Sequence, residues 1–264
     1  MLKLEHIFKI FNAGTVNEKK VLIDLSLTVN NGDFVTVIGS NGAGKSTLQN
    51  VISGTIFADS GHVILDNADI TYKPEIERAK YIGRVFQDPM MGTAPDMWIE
   101  ENLALAYRRT TRRGLRWGIR DSERKLYREA LAELNLGLEN RMQTKVWLLS
   151  GGQRQAATLL MATLRKPKVL LLDEHTAALD PKTAANVLSL SNKIVHENKL
   201  TTLMVTHNMQ NAIEYGNRLI MMHNGGVILD VGGEEKKKLT VEALLKKFEQ
   251  VSGTEFANDS ALLG

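Results

Sequence analysis

Residues Gly39 to Thr47 read GSNGAGKST, which fits the spacing glycine, four residues, glycine, lysine and a hydroxyl residue. Glycines so placed let backbone N–H groups converge on phosphate oxygens, and a helix starting there adds its positive end. The cradle comprises Gly39, Ser40, Asn41, Gly42, Ala43, Gly44, Lys45, Ser46 and Thr47. Lys45 is placed to reach β- and γ-phosphates, and the Ser46 hydroxyl to ligate Mg²⁺. At average composition the pattern arises by chance in roughly one chain of this length in a hundred. A second candidate is VLLLDEH, Val169 to His175, an apolar strand ending in two acids. Asp173 fits the carboxylate on the Mg²⁺ side of a phosphate-loop site, at the sheet edge where α/β proteins bind ligands. Glu174, expected to point the other way along the strand, is the candidate general base for an attacking water. A third stretch, LLSGGQRQA from Leu148 to Ala156, is another glycine-rich turn opening a helix. One chain therefore carries two candidate anion sites about a hundred residues apart.

The elements that must position these residues follow from hydrophobic patterning. Val21 to Val29 alternates like a half-buried strand, and Phe34 to Ile38 is a short apolar run feeding the first glycine loop. Further strands are predicted at 62–66, 81–86, 169–173, 201–206 and 218–222. Helical patterns separate several of them, notably Gln153 to Arg165 and Pro181 to Glu197, the latter with proline at its first position. Alternating strands and helices argue for an α/β fold on a parallel sheet. HNGG, His223 to Gly226, reads as a tight hairpin turn. From Asp88 to about Leu148 the strand signal gives way to helical patterns such as Ser122 to Leu134. The expected organisation is an α/β core over 1–87 and 149–231, an inserted helical subdomain over 88–148, and a C-terminal amphipathic helix and polar tail over 232–264.

With 264 residues, 43% apolar and 24% charged, the chain buries a substantial core. It has no cysteine, which excludes disulfides and thiolate chemistry. Its first residues lack the apolar run of a signal peptide, and no stretch is apolar enough to span a membrane, so any spans belong to another chain. The net charge of +3 is unevenly spread: Tyr107 to Arg120 holds six arginines and no acid. A solvated face and contact with anionic headgroups are both open for that stretch, whereas no nucleic-acid-binding module frames it.

LSGGQ, Leu149 to Gln153, resembles the signature of the ATP-binding-cassette (ABC) superfamily and lies in the family's order, between the phosphate loop and the acidic strand. By composition it arises by chance in about one such chain in several thousand. VFQDP carries Gln87 at the family's glutamine loop, AALD ends in Asp180, and VTHN supplies His207 as the switch histidine. The resemblance runs from about Leu2 to Val231 and implies an ABC ATPase fold, with an antiparallel β part before the parallel core. It implies ATP and Mg²⁺ as ligands, and two cassettes joined head to tail, so that Ser150, Gly151, Gly152 and Gln153 of one chain cap the γ-phosphate held by the phosphate loop of the other. It further implies that Gln87 touches Mg²⁺ or the attacking water, that His207 contacts the γ-phosphate, and that Asp180 links the two sites. Phe11 stands where the family stacks an aromatic on adenine, with Phe8 as a rival and strand packing as the plain alternative. His175 departs from the small residue common after the glutamate. The subgroup resembled energises bacterial importers with tryptophan- or tyrosine-type solute-binding proteins. The expected partners are a second copy, a permease and a solute-binding protein, at the cytoplasmic face of the membrane. An export-type cassette and a soluble non-transport ABC ATPase are the alternatives.

Overall fold

The structure is a computed structural model that describes residues 1–109 and 118–252. Along the chain run β1 (Leu2–Phe11), β2 (Lys19–Val29), β3 (Phe34–Gly39), α1 (Lys45–Ser53), β4 (Ser60–Leu65), β5 (Ala68–Asp69), α2 (Glu75–Arg78) and β6 (Ile82–Val85). Then come α3 (Ile99–Arg108), α4 (Asp121–Ala132), α5 (Gly151–Thr163), β7 (Val169–Asp173), α6 (Pro181–Asn198) and β8 (Thr201–Val205). The chain closes with α7 (Met209–Glu214), β9 (Arg218–His223), β10 (Gly226–Gly232), α8 (Gly233–Lys237) and α9 (Val241–Ser252). Two compact units result: one from residues 1–78 with 199 onward, the other from Ala79–Asn198.

In the first unit, β2, β1, β4 and β5 form an antiparallel sheet in that order. Beside β1 and β2 stand the strands β10, β9, β3 and β8, with β3 parallel to both β8 and β9. All six residues of β3 are buried, which is why its apolar run shows no alternation. Thr36, its one polar side chain, donates to the Ala212 carbonyl at 2.8 Å. The β9–β10 hairpin turns through Asn224 and Gly225, both at positive φ, as HNGG predicts. Ile38, Leu219 and Met221 pack against Leu244 and Phe248 of α9. The C-terminal segment differs from the single helix expected of it. It forms two, α8 and α9, because residues 238–240 leave the helix, and Thr240 Oγ1 then accepts the Ala243 N–H at 3.2 Å.

In the second unit, β6 and β7 pair in parallel from Ile82↔Val169 to Val85↔Leu172. The helices α3 and α4 pack on α5 through Ile99, Leu103, Tyr127, Leu131, Ala156 and Leu160. The spacing of Tyr127 and Leu131, one turn apart, puts both on the inward face. Gly83 lets β6 lie close to α5: an added Cβ would stand 2.7 Å from the Ala162 carbonyl. The helical patterns expected after Asp88 form α3, α4 and two short 3₁₀ turns.

Of the arginine-rich stretch, residues 110–117 lie outside the described residues, as do 253–264 of the tail. Arg108 pairs with Glu123 at 2.6 Å and donates to the Gly118 carbonyl, while Arg109 donates to the Ala162 carbonyl at 2.9 Å. Arg109 is thus tied to α5, while Arg108 stays partly exposed at the surface. Among the described residues no helix is long and apolar enough to cross a membrane.

Candidate active site

In each unit, candidate site residues lie at the carboxyl ends of parallel strands. In the first unit, β3 ends at Gly39, and the loop through Ala43 runs straight into α1 with Gly44 as its N-cap. Gly39, Gly42 and Gly44 all have positive φ, of 153°, 80° and 98°. Space imposes glycine as well: a Cβ on Gly39 would lie 2.2 Å from the Met222 carbonyl oxygen, and one on Gly44 2.7 Å from that of Val21. No side chain caps α1 and no acid lies in its first turn, so the helix presents N–H groups and positive dipole to an anion. Lys45, buried, lays its ammonium over the loop, donating to the Gly39 and Ser40 carbonyls at 2.7 and 3.0 Å. The loop therefore fits a polyphosphate by charge, by backbone direction and by freedom from acids.

His207 belongs to the same unit. It follows β8 in the turn whose next residue, Asn208, caps α7 by accepting the Asn211 N–H at 2.8 Å. β8 lies beside β3 in parallel, and the Thr206 N–H donates to the Val37 carbonyl. The histidine and the phosphate loop thus leave neighbouring strands at the same edge. Phe11 ends β1, 37% exposed, with the Lys9 ammonium 5.6 Å from its ring centre. Its register partner is Lys19, whose Nζ lies 3.8 Å from the place a Gly42 Cβ would occupy. Phe11 is therefore an open aromatic tied through its neighbour to the loop, whereas Phe8, half-buried, pairs with Ser60.

In the second unit, Gln87 follows β6 and the acids end β7, so they share one edge of a parallel pair. Gln87 is exposed and the Asp173 side chain half-buried. Asp173 Oδ2 receives the Arg84 guanidinium at 3.3 Å, and that guanidinium also lies 4.5 Å from the Phe86 ring centre. Ser46 in the first unit and Asp173 in the second each offer an oxygen, the donor type that a hard divalent cation takes. Glu174 requires a correction. The strand stops at Asp173, and Glu174 turns into the left-handed region at φ 41°. Its direction is set by that turn and not by strand alternation, at a cost of about 1–2 kcal/mol for a residue with a side chain. Strain of this kind collects at working sites.

His175 is no part of the open site. It is buried, and Nε2 lies 2.9 Å from Ser191 Oγ of α6, whose own proton goes to the Val187 carbonyl. The ring is therefore the donor and is neutral, and burial pushes its pKa down from 6.5 to about 4. Asp180 caps α6, accepting the Thr183 N–H at 3.1 Å, and its bonds to Thr183 hold the carboxyl below its usual range.

The signature residues open α5. Ser150 Oγ accepts the Gln153 N–H and Gln153 Oε1 accepts the Ser150 N–H, both at 3.3 Å, a reciprocal capping box. Gly152 is glycine for room: a Cβ would lie 2.2 Å from Thr183 Cγ2 on α6. Arg154 ties down the preceding turn by donating to the Trp147 and Leu149 carbonyls at 2.9 Å. Arg84 is a residue that sequence reasoning missed, although an arginine inside the apolar strand YIGRVF is a visible signal.

A phosphate loop with a strand-end histidine in one unit, and a glutamine loop, acidic strand and second glycine turn in the other, define a nucleotide-hydrolysing cassette. The comparisons agree. The chain matches the ABC transporter family over residues 22–177. It is 48% identical over 249 residues to the tyrosine transport ATP-binding protein of Clostridioides difficile (strain R20291), covering 94% of this chain and 99% of that protein. Against the spermidine/putrescine import ATP-binding protein PotA of Salmonella typhimurium it is 33% identical over 242 residues, covering 89% of this chain and 60% of that protein. The solved dimeric post-hydrolysis state of the ATP-binding cassette MJ0796, bound to ADP and Pi, is similar with a TM-score of 0.74 and 30% identity, covering 88% of this chain and 98% of that one. The chain belongs to the ABC transporter family, as an ATP-binding subunit whose ATPase activity drives transport.

Proposed function

We propose that this subunit energises a bacterial importer of amino acids of the tyrosine type, as a homodimer under a permease with an extracytoplasmic solute-binding protein. The observation that carries the cargo class is the 48% identity, end to end, with the tyrosine transport protein. In this reading the residues named above serve ATP. Lys45 and the N–H groups of residues 39–47 hold the phosphates, and Phe11 lies against the base. Ser46, Asp173 and Gln87 would hold Mg²⁺, which would neutralise charge on the transferred phosphoryl group. Glu174 accepts the proton of the attacking water, and His207 steadies the γ-phosphate. Ser150, Gly151, Gly152 and Gln153 of a second copy close the far side, and Asp180 lies at the seam. ATP binding then shuts the dimer and hydrolysis reopens it, the two-state element that alternating access needs.

The helical region 88–148 is the permease-facing part in this reading, and the second unit holds a cavity to match. It measures about 440 Å³ and is lined by Phe86, Met91, Leu105, Arg109 and Met161 among others. Met91 and Leu105 are 70% and 55% exposed, an apolar rim suited to a short permease helix. Light scattering of Glu174→Gln tests the shared site: a monomer that dimerises only with ATP and Mg²⁺ supports it. A monomer under every condition, permease included, sinks it. Leu105→Asp should abolish recovery of the permease from solubilised membranes while leaving basal ATP hydrolysis unchanged; undiminished recovery would move the contact elsewhere.

A further inference from the structure

The helix opened by the signature also grips the loop that carries Gln87. Gln155 lies one turn into α5 at 0% exposure, and its Nε2 donates to the Phe86 carbonyl at 3.2 Å. Phe86 directly precedes Gln87. Gln155 Oε1 accepts from no described group, so the amide meets its surroundings through that one donated bond. Burying an amide for a single bond is unfavourable beside an apolar side chain of the same size, which marks the bond to Phe86 as the reason for a glutamine there. The contact continues to the acidic strand, because the Phe86 ring lies against Arg84 and Arg84 pairs with Asp173. One turn further along α5, Thr158 joins Phe86 beside Gly92, at 3.7 and 3.6 Å from where a Cβ there would stand.

The inference rests on the shared ATP site proposed above. There, Gln87 serves the nucleotide held by its own chain, while Ser150 to Gln153 serve the nucleotide held by the partner. Gln155 belongs to the helix of the second and is bonded to the loop of the first. We propose that Gln155 is a positioning residue that ties the Gln87 loop to the signature helix, so that the state of one ATP site is felt at the other. It touches no reacting atom. Its effect passes through the placement of Gln87 and of the α5 N-terminus.

The experiment is a pair of double-mutant cycles on the full chain, read as kcat and KM for ATP together with melting temperature. Gln155→Met should lower kcat by about ten- to a hundredfold, the range for a misplaced group beside an intact one, with KM changed by less than about twofold. Gln155→His, which restores an N–H at similar reach, should recover most of the rate. In a Gln87→Ala background, and separately in a Ser150→Ala background, adding Gln155→Met should slow the enzyme by less than about twofold, since a shared pathway is already broken. Wild-type kcat in Gln155→Met, full additivity in both backgrounds, or a fall in melting temperature that tracks the loss of rate would each overturn the proposal. Failure of the shared site itself would appear separately, as a Glu174→Gln protein that never dimerises, while the Gln87 cycle within one chain keeps its meaning.

Discussion

In the proposed function the two glycine loops solve one problem, holding an anion at a helix N-terminus, in opposite ways. Around Gly39 to Lys45 the glycines are demanded by positive φ and by carbonyls that leave no room for Cβ, and no side chain caps the helix that follows. Around Ser150 to Gln153 the glycines lie outside the left-handed region and only make room, against Leu179 and Thr183. There the chain caps its own helix with Ser150 and Gln153. The first loop is built to bind before anything else arrives. The second is satisfied in the lone chain and must exchange internal bonds for phosphate oxygens, so it suits a closing step rather than an opening one. That asymmetry accounts for one chain carrying both.

The largest effect that sharpens the contrast is on turnover. Glu174→Gln should cut the rate of phosphate release by about two to four orders of magnitude, the share of a lost general base, with nucleotide binding intact. Binding is expected to survive because in the proposed site the phosphates are held by the N–H groups of residues 39–47 and by Lys45. Normal turnover in that variant would remove the glutamate from the mechanism.

Acid should separate the units next. The imidazole of His175 is held neutral, its pKa near 4 against an ordinary 6.5. The unfolded chain therefore takes up a proton first, and stability that is complete above pH 6.5 is lost as pH falls toward 4. The loss amounts to roughly 3 kcal/mol, from 1.36 kcal/mol per pKa unit. His175 bonds to α6, the helix whose Thr183 backs Gly152, so the loss falls on the signature side. All three tryptophans lie in the sequence of that unit, at 98, 117 and 147. Urea midpoints read by tryptophan fluorescence should fall between pH 6.5 and 4, and His175→Gln should flatten that dependence. An unchanged slope in the variant would assign the titration to another group.

Which parts of this arrangement could be read from residues alone follows the same division. The phosphate loop was legible because its glycines obey a local rule, and the strands flanking it because they are continuous apolar runs such as VLLLD. The helices α3 and α4 showed in the change of period after Asp88. The orientation of Glu174 was not legible, since strand alternation fails one residue past the strand end, where φ changes sign. Nor was the burial of His175, because a histidine after an acidic pair reads the same whether it faces solvent or Ser191. The break between α8 and α9 was hidden by a lysine-rich run that suits a helix throughout. Gln155 and Arg84 act across sequence separations of 69 and 89 residues, which no periodicity encodes.

The smallest pair of effects tests the asymmetry most directly. Lys45→Ala removes a charged donor from the loop that binds first, and a fluorescent ATP titration should show affinity lower by about ten- to a hundredfold, the worth of one charge-assisted bond. Ser150→Ala removes a cap from the loop that closes last. It should cost about 1 kcal/mol of stability and leave nucleotide affinity of the monomer within about twofold of wild type. Combined with Glu174→Gln, however, it should prevent the ATP-dependent rise in mass. If Ser150→Ala weakened monomer binding as much as Lys45→Ala does, both loops would serve the nucleotide of their own chain, and the division of labour between an opening and a closing anion site would be wrong.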